Sequence, residues 1–245
     1  NHQTVWTDGD VFRGVLAPYR STVGQPLYSY WLVKTAGIFQ TDAEAKAYQD
    51  KNGNMIQPNA KAGDLKFVDF DHNGVIDDGD RQYMGNAFPK LTYGFTASFT
   101  WKQFDLSLFL QGVSGVKLFN AFKMTTLSGS EQGYNRWNKI LDAWAPDHTN
   151  GNIPRISASD PNKNFGTPSD WYLENGNYMR LKNLLIGYTF RKMGWNQGIR
   201  VYFSGDNLLT FTKYSGMDPE VGGNGFDGGQ FPISRVYSVG LNVKF

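Results

Sequence analysis

The residues best equipped for chemistry lie together between positions 69 and 80, reading Asp69-Phe70-Asp71-His72-Asn73-Gly74-Val75-Ile76-Asp77-Asp78-Gly79-Asp80. Oxygen donors at the first, third and fifth places (Asp69, Asp71, Asn73) are followed by a glycine at the sixth and the carbonyl of Val75 at the seventh. A branched apolar residue, Ile76, stands at the eighth place, with Asp77 at the ninth and Asp80 at the twelfth. This is the spacing by which one loop surrounds Ca²⁺. The ion takes about six to eight hard oxygens, and only a loop that folds back sharply at Gly74 can aim that many from so short a stretch. Asp80 stands where helix-loop-helix sites have a longer, bidentate Glu, a departure shared by non-helical calcium loops. Ca²⁺ is therefore the expected cofactor, in a bracing role. The alternative is an acidic, Asx-rich turn that stays hydrated and binds nothing.

Other chemistries are poorly supplied. The chain has no cysteine, which removes disulfides, zinc-cysteine sites and thiol nucleophiles together. Its histidines, His2, His72 and His148, leave little for a zinc enzyme, and His148 sits in a proline-rich stretch that favours a solvated side chain. The carboxylates show no pair converging on a cleft, as a glycosidase needs. No enzyme is expected. A net charge of +2 without a basic block gives no footprint for nucleic acid. Trp137, Trp144, Trp171 and Tyr172 are candidates for stacking on sugar rings, although such residues more often pack a loop against itself.

The elements that must carry these residues are strands. Aromatics make up 16% of the chain and 28 residues are glycine, a mixture that suits strands joined by turns and argues against a helical bundle. No run reaches the ~20 apolar residues of a membrane helix. The negative mean hydropathy does not exclude a membrane, since a barrel strand shows lipid only every second residue. Leu91, Tyr93, Phe95, Ala97, Phe99 and Trp101 share one face of a strand whose other face is Thr, Gly and Ser. Only Lys102 and Gln103 separate it from Phe104, Leu106, Leu108 and Leu110, so the two form an antiparallel hairpin. Each strand matches the ~9 to 11 residues that cross a bilayer when tilted. Trp101 and Phe104 fall where an interfacial aromatic girdle belongs.

Further strands are predicted around Val11 to Ala17, over Ser29 to Phe39, Tyr178 to Phe190 and Ile199 to Leu209, and from Ser234 to the end. The outward face of Tyr178 to Phe190 is not assignable from the pattern. Thr41 followed by Glu44 predicts a short helix over Asp42 to Gln49. Trp137, Ile140, Leu141 and Trp144 predict an amphipathic helix from Tyr134 to Trp144. Connections alternate in length: 40–90, 116–176 and 210–232 are long, 102–103 and 191–198 short. Outer-membrane barrels show this asymmetry, with long loops outside the cell. The last strand alternates Tyr237, Val239, Leu241, Val243, Phe245, and its C-terminal Phe245 resembles the terminal strand by which such barrels are recognised for assembly.

Four segments together are similar to the C-terminal part of the SusC/RagA family of TonB-dependent outer-membrane transporters. They are Gly63 to Asp69, Asp105 to Gly112, Tyr178 to Leu184 and, most specifically, Asn207 to Glu220 (NLLTFTKYSGMDPE). The likeness runs from about residue 28 to residue 245. It implies an all-β fold, an antiparallel transmembrane β-barrel of which residues 1–245 are a C-terminal fragment. About six strands are readable, with long extracellular loops at 40–90 and 116–176 and neither plug domain nor N-terminal strands. It further implies outer-membrane lipid around the barrel, energy supplied through the TonB complex, a SusD-like surface lipoprotein as lid, and oligosaccharide or peptide as cargo. The start, Asn1-His2-Gln3-Thr4-Val5-Trp6, lacks the look of a signal peptide, so the expectation is a chain that is processed or begins within something larger. The rival reading is a soluble, calcium-braced β-sandwich that binds glycans at the cell surface. There the apolar faces of Leu91 to Trp101 and Phe104 to Leu110 would be sealed in a core.

Overall fold

The computed structural model describes residues 11–13, 16–130, 133–193 and 196–244. Phe245, and residues 14 and 15 of the first expected strand, lie outside them. In chain order, β1 (Val11–Arg13), β2 (Tyr19–Ser21), β3 (Ser29–Val33), β4 (Thr35–Ile38), helix α1 (Asp42–Ala47), β5 (Leu65–Phe67) and β6 (Arg81–Asn86) come first. The hairpin β7 (Leu91–Trp101) and β8 (Phe104–Ser114) follows. Then β9 (Lys117–Asn120), helix α2 (Phe122–Thr126) and β10 (Leu173–Asn175) lead to the long strands β11 (Tyr178–Met193) and β12 (Asn196–Thr212). Strands β13 (Phe226–Asp227) and β14 (Val236–Lys244) complete the set. Two compact units emerge. One holds the residues before Phe88, Leu118–Glu174 and Gly222–Gly229, the other Phe88–Lys117, Asn175–Val221 and the residues from Gln230 on.

The second of these units is an antiparallel sheet in the order β14-β12-β11-β8-β7. Lys102 turns the β7–β8 hairpin with φ of 55°, and Trp101 pairs with Phe104 beside it. Because opposed residues share a face, the register spreads one apolar surface across all five strands. Phe99 opposes Leu106, Leu106 opposes Ile186, Ile186 opposes Phe203, and Phe203 opposes Val239. One row further on, Trp101, Phe104, Tyr188, Val201 and Leu241 line up in the same way. Phe104 meets Tyr188 edge-on at 4.7 Å, and Tyr188 meets Phe190 at 4.7 Å, an aromatic band at the end of the strands where the tight turn lies. No layer of the protein covers this surface among the described residues. Phe99 is 62% exposed and Val239 79%, far from the sealed faces of a sandwich.

The unassigned face of β11 now has a cause. At Leu181–Asn183 the strand carries an extra residue relative to β8, and β12 carries an irregularity at the same level, with Asn207 at φ of 55°. This bulge changes parity, so Leu181 and Leu184 both face outward. Arg180, Asn183 and Gly187 fall on the opposite, polar face. There Arg200 of β12 donates through Nε to Asp105 Oδ1 of β8 at 2.9 Å. The ion pair crosses over Gly187 of β11, where a Cβ would meet the Asp105 carboxylate.

The other unit is built mostly from the long connections at 40–90, 116–176 and 210–232. Its sheet β1-β2-β3-β6, the ladder β4–β5 and the sheet β10-β9-β13 surround aromatic packing. Tyr30, Phe119, Tyr172 and Phe226 stack in sequence, with Phe119 5.0 Å from Tyr172 and 5.8 Å from Phe226. The Ser29 to Phe39 segment belongs here, as β3 and β4, so the large sheet has five strands instead of six. Thr41 caps α1 by accepting from Glu44 N, and the Glu44 carboxylate accepts from Gln40 N, one residue earlier than a capping box would have it. The helix expected over Tyr134 to Trp144 is reduced to a 3-10 turn at Asn138–Asp142. Trp144 N donates to Ile153 O at 2.8 Å, and this pairing draws the end of the segment away from helix.

Asp64 anchors the unit's polar interior. Fully buried, it accepts from Arg155 Nη2 at 3.1 Å, Asn164 Nδ2 at 2.8 Å and Lys61 N at 2.9 Å. Its neighbour Gly63 has φ of 89°, and a Cβ there would overlap the Trp144 ring and Arg155. Strain and overpacking act together at this point, so Gly63→Ala is expected to destabilise the unit by about 3 kcal/mol. Limited proteolysis of the protein should then cut within residues 40–90 more than about tenfold faster, and an unchanged rate would refute the packing described.

Candidate functional site

The acidic loop leaves β5 and ends at the start of β6. Backbone amides shape it by donating to the carboxylates. Gly74 N bonds Asp69 Oδ2 at 2.9 Å, Asn73 N bonds Asp71 Oδ1 at 3.1 Å, and Gly79 N bonds Asp77 Oδ1 at 2.7 Å. Asp80 accepts from Phe70 N at 2.6 Å and Asp77 N at 2.8 Å. Gly74, with φ of 88°, makes the sharp return the sequence anticipates. Gly79 leaves the space that the Asp71 carboxylate occupies.

As a result Asp69, Asp71 and Asp80 each present an oxygen within 4.8 Å of the others. Asn73 joins them through Nδ2, 3.2 Å from Asp71 and 3.3 Å from Asp77. The Val75 side chain is exposed, leaving its carbonyl as the atom the pattern needs. Asp69 is 7% exposed, and its Oδ1 has no hydrogen-bond donor. Burial pushes the Asp80 carboxyl up, opposed by its backbone hydrogen bonds and reinforced by the charge of Asp69. Carboxylates packed this closely can hold a hard cation.

The four aromatic candidates separate. Tyr172 is 0% exposed, with its hydroxyl on Phe165 O at 2.8 Å, and Trp144 is buried against Gly63. Neither ring is open to a ligand, because both were taken up by the core that the intervening segments form. Trp137 is partly exposed, with Lys139 Nζ 3.9 Å from its ring. Trp171 lines an open cleft of about 530 Å³ with Gln40, Lys123, Asn150 and Asn152. Lys123 lies 4.7 Å over the Trp171 ring and pairs with Glu174 at 2.8 Å.

Sequence reasoning passed over a buried charge network in the unit of the large sheet. Arg180, 2% exposed, donates to Thr210 Oγ1 at 2.9 Å, Glu220 at 2.9 Å and Asp218 at 2.5 Å. Lys182 reaches Glu220 at 2.8 Å. The arrangement ties the 213–221 segment to the polar face of β11 and β12. Opposite charges in two motifs about 40 residues apart were its only trace in sequence.

No protein-family model matches the chain. It is similar to TonB-dependent receptor P3 of Formosa agariphila, 31% identical over 237 residues, covering 91% of this chain and 22% of the relative. It is 27% identical over 196 residues to TonB-dependent receptor SusC of Bacteroides thetaiotaomicron, covering 78% of this chain and 18% of that one. Among solved structures, that of the RagAB peptide transporter aligns with TM-score 0.68 and 25% identity, covering 100% of this chain and 25% of the other. The chain thus spans about a fifth to a quarter of the length of the proteins it matches.

Proposed function

The chain is related to TonB-dependent receptors of the SusC/RagA kind, and from that premise we propose that the protein it belongs to imports oligosaccharides or oligopeptides across the outer membrane. The sheet is a segment of an antiparallel barrel wall in the outer membrane of a Gram-negative cell. The carrying observation is the uncovered apolar surface from Phe99 to Val239, backed by a polar face with the ion pair of Asp105 and Arg200. Lipid outside and water inside is the division a conduit needs. Import is driven through the TonB complex, and a SusD-like lipoprotein is the expected lid. The unit built from the long connections supplies the surface for lid and cargo, with Trp171 and its cleft, and the more peripheral Trp137, as the rings still available for contact.

Peptide cargo is supported by the likeness to a peptide transporter, and oligosaccharide is the other cargo class that the resemblance of the four segments implies. Cells carrying the full receptor together with a SusD-like lipoprotein should take up one of the two labelled cargo classes, and lose that uptake when TonB is deleted. Uptake of neither class, or uptake indifferent to TonB, would overturn the proposal.

A further inference from the structure

We infer that the loop from Asp69 to Asp80 is a calcium site that joins two sheets of the smaller-stranded unit. The loop runs from β5, paired with β4, to β6, paired with β3. It is also the stretch where acidic side chains are most concentrated. Asp69, Asp71 and Asp80 crowd their oxygens within 4.8 Å, an arrangement that repels itself unless a cation sits among them. The second observation is independent of the clustering. Asp69 Oδ1 is closed off from water and receives no hydrogen bond, although its twin Oδ2 is satisfied by Gly74 N. A buried carboxylate oxygen without a partner is costly, and a metal ion is a partner that a three-carboxylate environment selects.

The donor set fixes the class of ion. Carboxylates, an amide side chain and a backbone carbonyl are hard oxygen ligands, and His72, the loop's only nitrogen-donor side chain, is exposed and outside the set. Irregular, numerous oxygens from a flexible loop suit Ca²⁺ better than Mg²⁺, which demands a tight octahedron and keeps its waters. Asp69, Asp71 and Asp80 would bind directly, Asn73 after turning its amide oxygen inward, Val75 through its carbonyl, and Asp77 through a water. Without a bidentate Glu, the affinity belongs to the extracellular range of about 10⁻⁴ to 10⁻³ M. Such an affinity would keep the site filled in a calcium-rich medium and let it empty in a depleted one.

Tyr48 supplies a probe. Its hydroxyl lies 3.4 Å from Asp69 N, close enough for the ring to sensitise terbium luminescence at the loop. With the full-length receptor in detergent, terbium should bind and be displaced by calcium, and calcium should slow proteolysis within residues 69–80. Asp71→Asn, at an exposed position, should weaken calcium binding at this site more than about tenfold. Asp78→Asn removes a carboxylate that pairs with Arg81 and lies outside the donor set, and should change it less than about twofold. No calcium-dependent protection of the loop up to about 10 mM would overturn the inference. So would an Asp71→Asn receptor that binds as well as the parent, or an Asp78→Asn receptor that is weakened equally. None of these readouts depends on cargo uptake.

Discussion

Phe95→Arg should remove most of the folded receptor from the outer membrane, whereas Ser98→Arg should leave most of it in place. Phe95 lies near the middle of β7 on the apolar surface, opposed by Leu110. Ser98 lies three residues on, on the polar face, with its hydroxyl 3.4 Å from that of Ser107. An arginine at the lipid midplane costs roughly 2 to 4 kcal/mol, and the same side chain facing water in the lumen is hydrated. The expected contrast is about 30-fold or more in folded barrel, read from heat-modifiable mobility of membrane fractions. Equal losses from the two substitutions would mean that the surface running from Phe99 to Val239 does not face lipid.

Arg180→Met is the second large expected effect. The substitution keeps the apolar length of the side chain and strands Asp218, which is mostly buried, without its cation. Breaking a buried pair from one side costs on the order of 3 to 5 kcal/mol. The lower end applies here, since Glu220 is about a third exposed and keeps Lys182 as a partner. The segment from Lys213 to Arg235 should become much more sensitive to protease in the assembled receptor. Adding Asp218→Leu should recover part of the loss, because an apolar pair replaces a lone buried charge.

The network also sets a pH dependence. Burial alone would raise the Asp218 carboxyl, but hydrogen bonds from Glu220 N, Arg180 and Ile233 N hold it below its ordinary value. A depressed acid contributes stability that is present above its unfolded pKa of about 3.9 and disappears as pH falls through the lower folded value. Protection of the segment should therefore persist through mildly acid conditions and fail only below the usual carboxylate range. In Arg180→Met the failure should begin at higher pH.

What the sequence disclosed was whatever depends on local period. Strand β7 ends at the residues its alternation gives, Leu91 and Trp101, and the turn falls at Lys102. The bounds of the acidic loop were equally plain, because its carboxylates and glycines fall within twelve residues. Strand β11 resisted because Lys182 interrupts the alternation, and a parity change cannot be told from noise without the neighbouring strand. The unit carrying Tyr172 and Trp144 was hidden for a different reason. Its core is assembled from Tyr30, Phe119, Tyr172 and Phe226, nearly 200 positions apart, and no window along the chain contains them together. That distance is also why two of four aromatic candidates for ligand contact proved to be packing residues. Arg180 looked like one more cation on a strand until Asp218 and Glu220 were seen beside it.

The irregularity at Lys182 has a wider reach than its single residue. In five consecutive positions it puts Arg180, Lys182 and Asn183 toward Glu220 and Asp206 on the wet side while Leu181 and Leu184 stay on the greasy one. A uniform strand has no such option, as it must spend every second residue on each side. Deleting Lys182 would let plain alternation resume with Leu181 and Leu184 still toward oil and Asn183 toward water, so the wall would keep its orientation and give up one of the two cations that hold Glu220.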